Sequence, residues 1–294
     1  MWSRIVVLSG LMGLVIGCGS VRGDLVMMEK TGEATGDAAP VYQEALGHWE
    51  QRGEQESLTK AIALWEEAAT IDPSHLPTQN RLTYAYYFQA HAHDRWLEDE
   101  DAATEAMMNS YLKGMEAGAR ALKLASPEFA DRIQKGEAWS TAIEAVDQKG
   151  LHAMYWHAAN LGKWGLLDSI ATILKYKDRA FSLVQRVYDM DKTFGSGAAP
   201  RYFGAAALKV PVGKDPEKSL AMFTESMEIA PNYLDTKLLY AEFYLVYQGE
   251  EAEFKKTLEE IVGTADDVIP DRVPETKNAK RIAQSMLDNM DDFF

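Results

Sequence analysis

The stretch "SLTKAIALWEEAATIDPSH", residues 57–75, decides the fold. Ile62, Trp65, Ala68 and Ala69 fall on one stripe at the three-and-four spacing of an amphipathic helix. Small residues at Ala61 and Ala68 let a second helix approach, Trp65 fills the gap between the two, and Pro73 ends the helix. From Pro40 onward the periodicity stays helical, and no alternating strand pattern competes with it. Further helices are expected in "LTYAYYFQAHAHDRWL", "AWSTAIEAVDQKGLHAMYWHAANLGKWGLL", "PRYFGAAALKV" and "YLDTKLLYAEFYLVYQ". The expected fold class is all-α.

The spacing of Ala61, Trp65, Ala68 and Pro73 resembles the second helix of a tetratricopeptide repeat. Degraded copies occur at Gly114, Gly118, Ala121 and Pro127, at Ala180, Val184, Val187 and Lys192, and at Ser219, Phe223, Ser226 and Pro231. Their ends are about 53, 66 and 39 residues apart, whereas a regular array would repeat every 34 or so. The expectation is therefore an irregular stack of tetratricopeptide-like helical hairpins forming one compact body, rather than an open superhelix.

Upstream, "LMGLVIGCGSVRG" (residues 11–23) contains the chain's single cysteine, Cys18. The apolar run from Ile5 to Ile16 spans roughly 18 Å as a helix, against a bilayer core of about 30 Å. Behind one Arg4 and before small residues, it has the form of a signal peptide. Val15, Ile16, Gly17 and Cys18 resemble the bacterial lipobox, whose cysteine receives a diacylglycerol and becomes the new N-terminus; an ordinary secretory signal containing a cysteine is the alternative. With Gly19 after the cysteine, the resemblance extends to outer-membrane sorting. The expected organisation is a lipoprotein signal peptide over residues 1–17, a lipid-anchored linker over 18–40, and a helical tetratricopeptide-like domain over 41–294. Leu25, Val26, Met27 and Met28 are too apolar for a pure spacer, so part of the linker is expected to pack on the body.

Composition excludes several functions. The formal charge is −15, and losing Arg4 with the signal makes it −16, so phosphate backbones and anionic lipid surfaces are repelled. A lone cysteine forms no internal disulfide. His91 and His93 point apart on a helix, His152 and His157 are five residues apart, and no His-Glu-x-x-His motif occurs, so no metal site is expected. "EDED" at 98–101 lacks the loop of a calcium site and reads as a solvated helix end. "FGSGAAPRYFG" at 194–204 is neither a nucleophile elbow nor a phosphate loop. No enzyme and no cofactor are expected.

Aromatic and amide residues concentrate in "HAMYWHAANLGKWG" (152–165) and "PRYFGAAAL" (200–208). Trp156, Asn160 and Trp164 share one helical face, close to Tyr155, and read either as a core aromatic stripe or as the wall of a ligand pocket. "YWHAANLGKWG", "APRYFGAAAL" and "DPEKSLAMFTESMEIAPNYLDTKLLYAEFY", in that order, resemble the T-component family associated with TRAP transporters, known as TatT, and the resemblance runs from about Tyr42 to Arg281. It implies a periplasmic lipoprotein that forms a homo-oligomer, a trimer, and docks a periplasmic TRAP substrate-binding protein. It also implies a central cavity or pore for a small organic acid or hydrophobic ligand. Trp156, Asn160, Trp164, Arg201, Tyr202, Tyr240 and Tyr244 are the candidate ligand or pore residues, with Arg201 offering a planar donor fork to a carboxylate. A generic membrane-anchored scaffold for envelope assembly, with no ligand path, is the alternative.

Overall fold

In the computed structural model, which describes residues 22–209 and 213–294, the small-and-aromatic stripes become the contacts between helices. Residues 1–17, expected to be a signal peptide, and Cys18 lie outside the described residues. Among the described residues every regular element is helical, and the helices pack into one body, as expected.

In chain order the helices are α1 (Arg22–Met28), α2 (Ala39–Trp49), α3 (Gln55–Ile71), α4 (Leu76–Ala92), α5 (Glu100–Ala125), α6 (Pro127–Gln134), α7 (Trp139–Ala142) and α8 (Leu151–Asp168). They continue with α9 (Ile170–Asp191), α10 (Phe194–Lys209), α11 (Pro216–Ile229), α12 (Leu234–Leu239), α13 (Val246–Gln248), α14 (Glu251–Gly263) and α15 (Val273–Asp288). A π-helical segment, Tyr240–Leu245, joins α12 to α13. Helix starts follow the side chains available for capping: Asp99 accepts from the Ala102 amide at 2.8 Å, Ser126 from Phe129, Ser169 from Thr172 and Asp215 from Lys218. Thus the "EDED" stretch serves as the cap and acidic first turn of α5.

The stripe residues of 57–75 are buried: Ala61, Trp65 and Ala68 are wholly inaccessible. So are the corresponding positions around Ala121, Val184 and Phe223. Helices α5 and α8 approach closely. A Cβ at Gly114 would lie 2.5 Å from Asn160 Oδ1, and one at Gly118 would lie 2.9 Å from His157 Cβ, so only glycine permits this approach.

Two apolar cores result. The larger runs from α1 to α10, and the smaller joins α12 and the π segment to α14 and α15. The chain's ends are linked by ions. Arg52, in the α2–α3 turn, donates to both oxygens of Glu275 on α15, at 3.0 and 2.7 Å, and both side chains are buried. Tyr84 donates to Glu275 Oε1 at 2.6 Å, and Arg52 stacks on Trp49 at 4.8 Å. Residues 31–38 lie along this body, with the Thr35 amide donating to Ile71 O at 2.8 Å and Ala38 buried. Within the apolar quartet before them, Val26 and Met27 are buried while Leu25 and Met28 are exposed.

Candidate functional site

A cavity of about 230 Å³ lies among α4, α8, α9, α10, the 233–243 segment and α15. Aromatic rings from each side make most of its wall. Trp156 of α8 packs against Tyr84 and Tyr87 of α4, with ring centres 4.2 and 4.9 Å apart, and Tyr202 and Phe181 face one another edge to face. Ten aromatic residues at one concave site provide apolar bodies with polar tips. The wall also holds five cations (Arg95, Lys163, Lys177, Arg201, Lys209) and three carboxylates (Asp235, Glu242, Glu275), so it is cationic inside an acidic chain. One carboxylate, Glu275, is already held by Arg52.

Local backbone explains where Arg201 sits. Gly195, Ser196 and Gly197 are all left-handed, with φ of 57°, 61° and 72°, which turns the chain sharply between α9 and the body of α10. A Cβ at Gly197 would lie 2.8 Å from Ser226 Oγ, so glycine is required there twice over. The carbonyls freed by this turn are taken up by Arg201: Nη1 donates to Ser196 O at 2.9 Å and Nη2 to Gly195 O at 3.2 Å. Nη1 also reaches Thr236 Oγ1 at 3.2 Å, and the guanidinium covers the Tyr233 ring at 4.5 Å. The donor fork expected to face a carboxylate is therefore largely engaged by the protein's own backbone.

Lys163 differs. It lines the cavity from α8 and donates no hydrogen bond among the described residues. Burial holds its amine below the usual lysine range, while the charge of Glu242 acts in the opposite sense. Asp235 is pushed up by burial, with Arg201 opposing. His91, also in the wall, is held well below its ordinary value by burial and by the charges of Lys163 and Arg95, so it is neutral.

Of the residues expected at the site, Trp156, Arg201 and Tyr202 are brought together in this wall. The Tyr202 hydroxyl lies 3.2 Å from where a Cβ on Gly162 would stand, so that glycine makes room for it. Asn160 points away, into the α5 contact, where Nδ2 donates to Thr83 O at 3.1 Å and Trp156 O at 2.7 Å. Trp164 lies beside Tyr176 at 6.3 Å, outside the wall. Tyr240 and Tyr244 stack on each other at 5.3 Å against the smaller core, and Glu242 and Phe243 of the same π segment reach the cavity instead. The segment's own aromatics face two ways, Phe243 into the cavity and Tyr240 and Tyr244 onto the smaller core, so its sequence could not distinguish the lining face. Lys163, Asp235 and Glu242 were legible only as ordinary charges. Among the described residues no cluster of metal-binding side chains occurs.

No curated protein matches the chain. A family model described as TRAP transporter T-component matches residues 63–294, which includes the cavity, the smaller core and most of the larger one. The chain belongs to the TRAP transporter T-component family, and is an accessory component of a TRAP transport system in the bacterial envelope.

Proposed function

We propose that the chain is a periplasmic lipoprotein, anchored in the outer membrane through Cys18, which assembles as a homotrimer, docks a TRAP substrate-binding protein and holds a small organic acid with an apolar body in its cavity. The observation that carries the ligand reading is the cavity's composition: aromatic walls with an excess of cations, one of them Lys163, which donates no hydrogen bond among the described residues. Trp156 and Tyr202 supply apolar contact, Arg201 supplies charge while holding its turn, and Lys163 supplies the free donor to a carboxylate.

Titration of the mature protein with octanoate and with octanol tests this. Octanoate should bind about tenfold more tightly, the equivalent of roughly 1.4 kcal/mol, and Lys163→Met should remove that preference with the helical circular dichroism unchanged. Equal binding of acid and alcohol by the wild type would overturn the anion reading. Co-purification from the bacterial envelope with the tagged mature chain should recover a periplasmic binding protein; recovery of assembly factors alone would favour the scaffold.

A further inference from the structure

The chain leading to the body is secured before the first large helix begins. On α1, Val26 and Met27 are buried in the larger core. Asp24 Oδ1 lies 2.8 Å from Arg179 Nη2 of α9, Gln134 of α6 donates to Met27 O at 2.6 Å, and Lys123 of α5 donates to Val26 O at 3.3 Å and to Glu29 O. Three elements thus hold these roughly two turns of helix. Its other side carries Leu25 and Met28, three residues apart and 53% and 56% exposed.

An exposed leucine alone means little. Its distance along the chain from Cys18 gives this pair its meaning. Only Gly19, Ser20 and Val21 separate Cys18 from Arg22, and a fully extended chain of that length reaches about 14 Å at most. A lipid on Cys18 therefore keeps the start of α1 within about 14 Å of the anchored residue, at most about twice the roughly 5–8 Å depth of one headgroup layer. The chain's net charge disfavours electrostatic adsorption, so apolar contact is the attraction available.

We propose that α1 is the membrane-facing foot of the protein, with Leu25 and Met28 entering the lipid interface and the clamp on α1 fixing the orientation of the whole body above the bilayer. This rests on the reading of Cys18 as the lipid-bearing residue. The body does not swing on a tether, because the helix beside the anchor is itself part of the core.

The test uses the full lipidated chain in phosphatidylcholine vesicles, with an environment-sensitive NBD label on Leu25→Cys or, as a comparison, on Leu97→Cys, an exposed site before α5. Intact mass reports the lipid on Cys18 in the same samples. The expected result is blue-shifted NBD emission at position 25, quenched by lipids spin-labelled near the headgroup, with neither effect at position 97. Lipid present but identical behaviour at both positions would overturn the foot alone. Lipid absent would remove the anchor; because a free Cys18 would itself take the label, the same two positions are then read in a Cys18→Ser background, where quenching confined to position 25 would support the foot and an unquenched probe at both would overturn it as well.

Discussion

At the scale of single residues, burial decides what a side chain can do. His152 and His157 are each lowered to about 3 by burial, assisted by the charges of Arg81 and Arg179 respectively. Both are neutral in the fold and protonate freely when unfolded, so the unfolded state binds more protons between pH 6.5 and 3. Stability is then full above the unfolded value and is lost as pH falls through this window, by about 2 kcal/mol for each histidine between pH 7 and 5. Urea unfolding at the two pH values should show that loss, and a midpoint unchanged down to pH 5 would contradict it. The histidines' neutrality was not legible in the sequence, because it depends on which helix covers them. His157 is covered by α5 at Gly118, and its ring stacks on Trp139 at 5.2 Å.

At the scale of elements, spacing was informative wherever a helix buries one face and silent where it buries two. Ala61, Trp65 and Ala68 announced α3 because the opposite side is polar. On α8, Trp156 faces the cavity while Asn160 faces α5, although four-residue spacing places them on one stripe. Two neighbours contact adjacent parts of that stripe, so a single aromatic face divides into a pocket wall and a packing contact. The close approach of α5 and α8 also makes a prediction. Gly118→Val should destabilise the protein by about 1–3 kcal/mol, since the added carbons meet His157 in an interior with no spare volume. Thermal unfolding checks it, and a variant melting with the wild type would show that α8 can yield. The same substitution at Gly47, which has nothing within 4 Å of an added Cβ, provides the exposed comparison.

At the scale of the whole molecule, one buried ion pair closes what a solenoid would leave open. Arg52 and Glu275 are 223 residues apart in sequence, and the pair is completed by Tyr84 and by Arg52 Nη2 donating to Asp271 O at 2.9 Å. Irregular repeat spacing pointed to a closed body, but no local pattern could pair one arginine with one glutamate across that distance. Glu275→Ala should cost about 3–5 kcal/mol, because it leaves the Arg52 charge buried without a partner. Double replacement of Arg52 and Glu275 by methionine should recover much of that loss, and chemical denaturation of both variants measures the difference. The pair also imposes an order of assembly. Until α15 has arrived, the turn at Arg52 carries a cation without its carboxylate, so its burial by the early helices is costly. Burial of Arg52 is therefore expected to await the last large helix, and stopped-flow refolding of the wild type should be slower than its wealth of local contacts would suggest, whereas the double methionine variant should refold faster.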